Sequence, residues 1–121
     1  MSKPEVIKID DVEYIRASEF KEAENLDGMK YVIVRSKDAG VFAGYLDDKI
    51  GSEVTLKKAR RLWYWSGAAS LSQLAMEGVS KPSDCKFPIE VEQLTVLGVC
   101  EIIDVTEKAR KSIKEVIIWI S

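Results

Sequence analysis

Histidine is absent from all 121 residues. Its absence excludes histidine-based acid–base catalysis, the serine–histidine–acid triad and zinc sites built on imidazole. Cysteine is scarce. Cys85 and Cys100 are too few for a four-thiolate site and too widely spaced to act as a close ligand pair, so neither a metal nor a cofactor is expected. A reduced pair is the expected state of two such thiols in a cytosolic chain. No GxxxxGK stretch followed by Ser or Thr occurs, and no GxGxxG, so neither a P-loop nor a dinucleotide fold is indicated. No apolar run approaches the roughly 20 residues that span a bilayer. The opening MSKPEVIKID lacks the apolar core of a signal peptide, so a cytoplasmic protein without a membrane partner is expected. Excess charge is missing too: 18 Lys and Arg against 20 Asp and Glu give a formal charge of −2. That balance argues against a protein of long nucleic acid, which carries a broad basic surplus.

What is present describes one globular domain, 46% hydrophobic and 31% charged, long enough to bury a single core. Residues 1–28 carry eight acids against four bases and read as an appendage. Within it, Val6–Ile9 and Val12–Ile15 flank Asp10-Asp11 as a short hairpin, and Ser18–Asn25 has the length of two helical turns. The ligand-binding domain is expected over 29–121. Tyr31–Val34 is a β-branched run fit for a buried strand. Val41–Leu46 returns as a second, with Gly44 allowing a bend or a close backbone approach. After a turn at Asp47–Ser52, Glu53–Trp65 reads as a long third strand. Strict alternation there puts Val54, Leu56, Arg60, Leu62 and Tyr64 on one face and Thr55, Lys57, Ala59, Arg61, Trp63 and Trp65 on the other. A bulge would exchange the faces. Further strands are expected at Glu90–Leu97, Glu101–Val105 and, apolar and in need of a partner, Val116–Ile120. Thr106 caps a helix over Glu107–Ile113. The fold class is α+β: a largely antiparallel sheet with two helices and an N-terminal hairpin appendage.

The stretch KKARRLWYWSGAASLSQLAM, Lys57–Met76, concentrates the chemistry. Ser66 has the side chain of a helix N-cap. Ala68, Leu71, Leu74 and Ala75 follow helical spacing behind it, and Gly78 is a natural C-terminal cap. No acid lies between Gly67 and Gln73, so the amides at the helix start are open to an anion, most commonly phosphate. The loop Val79–Pro88 is long enough to be functional and ends at Phe87, placed either to stack on a base or to fill the core. Lys108, Arg110, Lys111 and Lys114 make the last helix basic.

The runs MKYVIVRSKDAGVFAGYL and KKARRLWYWSGAASLSQLAMEG, the KFP after them and the late TEKARKSI resemble the first type of phage Thoeris anti-defence protein, over Met29 to about Ile113. The resemblance implies a sponge rather than an enzyme. Such proteins sequester cyclic ADP-ribose isomers, glycocyclic ADP-ribose among them, without cleaving them. Some members also bind cyclic di- and trinucleotides of the CBASS defence at a separate site. It further implies a homo-oligomer, dimer-based and up to a hexamer, with pockets between subunits, in the cytosol of the host bacterium. A cyclic ADP-ribose isomer presents a pyrophosphate and an adenine. The candidates for the pyrophosphate are Arg60, Arg61, Ser66 and the amides of Gly67, Ala68 and Ala69. Trp63, Trp65 and Phe87 are the candidates for stacking, with Lys108 and Arg110 arriving from the same or a neighbouring subunit. No catalytic residue is assigned. The competing readings are a nucleic-acid-binding module and a phosphodiesterase of nucleotide signals.

Overall fold

A computed structural model describes residues 23 and 25–120. The hairpin expected over 6–15 lies outside the described residues, as does all but Ala23 and Asn25 of the helix expected over 18–25. From Met29 onward the β-branched and aromatic runs dominate. They form β1 (Tyr31–Ser36), β2 (Gly40–Ile50) and β3 (Glu53–Arg61), an antiparallel meander. The chain then makes α1 (Leu71–Glu77), a 3-10 turn at Pro82–Asp84, β4 (Val91–Val96), β5 (Val99–Asp104) and α2 (Glu107–Glu115). The result is an α+β fold, a five-stranded antiparallel sheet with two helices.

Strand order is β4-β3-β2-β1-β5, so β4 and β5 lie at opposite edges although only Leu97 and Gly98 separate them. Three Cα steps from Val96 to Val99 cover at most about 11 Å. The sheet must therefore curl until its edges approach at that corner. Ser36 Oγ donates to Leu97 O at 2.8 Å and Val99 N donates to Ser52 O at 2.9 Å, pinning the closure. Curvature of this degree needs bulges. β2 and β3 supply two register shifts, at Ala43/Tyr45 and Leu46/Asp48. At the first, Lys58 takes a positive φ of 49°.

The curl creates two cores. Val32, Val34, Phe42, Val54, Leu56, Ala59 and Val96 fill the concave inside. Tyr31, Ile33, Ala43 and Tyr45, alternating with them, face Leu74, Phe87, Ala109 and Ile113 on the helical side. Gly44 sits where β3 presses closest: a Cβ there would lie 3.0 Å from Ala59 Cα, so the expected close backbone approach is real. Thr106 caps α2 by accepting from Ala109 N at 3.1 Å, and its hydroxyl donates to Met76 O at 2.7 Å, fastening α2 to the end of α1.

Several boundaries differ from the sequence expectation. β2 continues through Asp47 to Ile50, because bulging lets exposed acids extend the ladder past the core. β3 stops at Arg61, four residues short of Trp65. Val116–Ile120 is not a strand: its pairing is one parallel bridge, Ile118 to Phe87. The positive-φ residue at Lys58 also exchanges the faces of β3. Val54, Leu56 and Ala59 point into the concave core, whereas Arg60 and Leu62 turn to the helical side.

Candidate functional site

The arginine pair divides at this exchange. Arg60 is 4% exposed. Its Nε donates to Pro88 O at 2.9 Å, Nη1 to Ile113 O at 2.8 Å and Nη2 to Phe87 O at 3.0 Å. Burial pushes its pKa down, opposed by the nearby Tyr31 and Glu90. Arg60 is thus an internal clamp on three carbonyls and has no face for a phosphate, contrary to the expectation from sequence. Arg61 is exposed, lies 4.4 Å over the Phe42 ring and donates to Ala39 O at 2.9 Å.

Phe87 is likewise a correction. It is fully buried under Arg60, whose guanidinium lies 5.5 Å from the ring centre, so it fills the core and does not stack on a ligand.

The helix start also differs. Ser70, not Ser66, caps α1 by accepting from Gln73 N at 3.1 Å. Gln73 reaches back to accept from Ala69 N at 2.8 Å. The acid-free turn is therefore satisfied by a serine and a glutamine of its own. Ser66 instead engages Cys85, its amide donating to the sulfur at 3.4 Å. Gly67 has φ 87° and accepts from Ser80 N at 3.3 Å, while Ala68 and Trp65 pack against the helical core.

On α2, Arg110 is held by Glu107 at 2.7 and 3.0 Å, which drives its pKa upward, and it reaches Tyr45 Oη at 3.4 Å. Lys108 is exposed and lines a groove of about 460 Å³ with Val79, Pro82, Lys111, Ser112 and Glu115. The structure therefore does not gather the expected residues into one pocket: they lie on opposite faces of β3, in the core, and on α2.

A different cluster emerges beside the signature. Trp63 and Tyr64 are 64% and 52% exposed, between the buried Leu62 and the packed Trp65. Tyr64 is held by two backbone bonds: Lys86 N donates to its carbonyl at 2.7 Å and its own amide donates to Lys86 O at 3.3 Å. On the other side of that segment Trp119 N donates to Phe87 O at 3.0 Å. Phe87 points into the core, so the preceding Lys86 points out. Its Nζ lies 5.9 Å from the Tyr64 ring centre and 5.7 Å from that of Trp119. Lys86 makes no ion pair among the described residues. Two exposed rings around an ammonium can offer both a stacking face and a cation. Sequence reasoning missed Lys86 and Trp119 as site residues. The available signal was alternation around a buried aromatic at Phe87, and an apolar tail with too few neighbours to bury it.

Among the described residues no group of three or more His, Cys, Asp or Glu is placed to hold a metal ion. No helix among them is long and apolar enough to cross a membrane. The chain belongs to the family of a domain of unknown function, DUF6948, which matches residues 29–113. No curated protein and no solved structure matches it.

Proposed function

We propose that the protein is a non-catalytic binder that sequesters cyclic ADP-ribose-type signals, glycocyclic ADP-ribose among them, in a bacterial cytosol. The observation that carries this reading is the pair of exposed aromatics, Trp63 and Tyr64, in the ARRLWYWSGAASLSQLA run, with the Lys86 ammonium, which makes no ion pair among the described residues, over the Tyr64 ring. A large aromatic left in water costs hydrophobic stabilisation, and the Tyr64 ring beside the Lys86 ammonium, with Trp63 exposed next to it in sequence, fits an adenine with an attached phosphate. Arg61 supplies a second exposed cation on the same segment. The resemblance of that run to Thoeris anti-defence proteins supports the same ligand class. Assembly into a homo-oligomer, dimer-based and up to a hexamer, is part of the proposal. It is supported by the exposed apolar tail, where Ile117 and Ile120 are 84% and 82% accessible.

The test separates sequestration from cleavage. Cyclic ADP-ribose isomers are titrated calorimetrically into the protein. The loaded complex is then heat-denatured and filtered, and the filtrate is chromatographed beside untreated ligand. Tight binding followed by recovery of unchanged ligand is expected. Absence of binding rejects the reading, and a time-dependent linear ADP-ribose peak moves the protein to the enzyme class.

A further inference from the structure

The cation between two rings has one wall that the family domain does not supply. The match to that family ends at residue 113, and Trp119 lies beyond it. We infer that Tyr64, Lys86 and Trp119 form a purine-nucleotide clamp whose second wall is contributed by the C-terminal tail. The inference rests on the nucleotide-binding reading above and names a subsite within it.

Three observations carry it. The first is preorganisation: all three residues are fixed by backbone hydrogen bonds to one segment, Tyr64 to Lys86 and Trp119 to Phe87. That segment is itself locked, because Arg60 Nη2 holds Phe87 O. Side chains on a paired backbone lose less freedom when a ligand arrives. The second is charge. The Lys86 ammonium makes no ion pair among the described residues, and each ring stands under 6 Å from it. Cation–π attraction at exposed sites is worth only about 0.5–1 kcal/mol, so an arriving phosphate readily competes for the ammonium. The rings are then free to take the base. The third is space. Trp119 also borders a groove of about 370 Å³ lined by Pro82, Ser83, Cys85, Ile117, Ile118 and Ile120, a volume within the range of small-molecule sites. The groove is apolar where the ammonium is not. A nucleotide matches this division, since its base and its phosphate want opposite surroundings.

ADP is the probe, because it carries purine and diphosphate without the ring closure of a cyclic signal. Its titration is followed by tryptophan fluorescence and by calorimetry on the full-length protein. Saturable quenching is expected. Trp119→Leu should abolish the quenching, and Trp119→Phe, which keeps a ring, should retain calorimetric binding. Lys86→Met should weaken ADP by about tenfold or more, the loss of one charge-assisted contact, and leave adenosine within about twofold. Ile50→Asp, exposed at the β2–β3 turn and away from both the clamp and the groove, should bind ADP like the wild type. If ADP does not bind saturably, or binds Trp119→Leu unchanged, the clamp is refuted. If Ile50→Asp loses ADP as completely as Trp119→Leu, the loss is not specific to the clamp, and the clamp is again refuted. The two readings fail separately. ADP bound through Trp119 with no affinity for cyclic ADP-ribose isomers removes the sponge and keeps the clamp. Cyclic ligand bound equally by wild type, Trp119→Leu and Lys86→Met does the reverse.

Discussion

Arg60 and Arg61 are neighbours in sequence and leave β3 in opposite directions: Arg60 runs inward to the carbonyls of Phe87, Pro88 and Ile113, and Arg61 lies outside over Phe42. The Arg60 guanidinium fastens the segment before β4 to the C-terminal end of α2. Among the described residues no acid forms an ion pair with it, and its charge is spread over three carbonyl dipoles.

The pair should therefore respond unequally to truncation. Arg60→Ala removes three charge-assisted hydrogen bonds, leaving Phe87 O with the Trp119 amide and Ile113 O with the Val116 amide, and should cost about 3 kcal/mol. Arg61→Ala loses an exposed ring contact and one hydrogen bond and should cost about 1 kcal/mol or less. Urea denaturation of both variants measures this. Equal costs would refute the division of roles.

Gly67 should not accept a side chain. Its φ is 87°, and a Cβ would come within 2.5 Å of Ser80 Oγ and 2.6 Å of the Lys81 backbone nitrogen. Gly67→Ala combines left-handed strain with overpacking against backbone, a loss of about 2–3 kcal/mol. Differential scanning calorimetry should find the midpoint lowered by roughly 8–15 °C. A midpoint within about 2 °C of wild type would contradict the packing of this loop on Ser80.

Tyr31 should make the protein sensitive to alkali. Burial, reinforced by the Glu90 carboxylate, pushes its phenol pKa well above the usual value. A raised folded pKa means that the unfolded chain releases its proton first. The stabilisation is complete below about pH 10 and is lost as pH rises beyond it, by up to about 1.4 kcal/mol per pH unit. Lysines contribute a background slope that the variant shares. Urea midpoints between about pH 9 and 12 should fall more steeply for wild type than for Tyr31→Phe, and parallel curves would show that the fold does not hold this phenol neutral.

The tail should govern assembly. Ile117 and Ile120 expose more apolar surface than their isolated positions warrant in a monomer. Ile117→Asp with Ile120→Asp should lower the mass seen by light scattering at micromolar concentration without changing the circular dichroism of the fold. A wild type that is already monomeric would end the proposal of an oligomer.

Much of this fold is written locally. β1 follows from a β-branched run, α2 from Thr106 and the spacing behind it, and Gly78 ends α1 as expected. These features depend on backbone preference and on capping within one turn, which neighbouring residues dictate by themselves. The candidate site depends on facing, and facing is not local. One positive-φ residue at Lys58 reverses the alternation of β3, which sends Arg60 into the core and leaves Arg61 outside. Ser66 is the cap expected from sequence; the helix starts instead behind Ser70, where Gln73 also covers Ala69 N. Phe87 can be read in sequence as a plug or a platform, the plug favoured, and Arg60 closing over it makes it the plug. The sequence by itself determined the α+β class, the strand-rich order and the absence of histidine chemistry, since these depend on composition and short-range pattern. Only the tertiary structure decided which cations face solvent and that Lys86 meets Tyr64 and Trp119. Those contacts join residues 22 and 33 positions apart, brought together by the Tyr64–Lys86 bridge and by the Trp119 amide on Phe87 O.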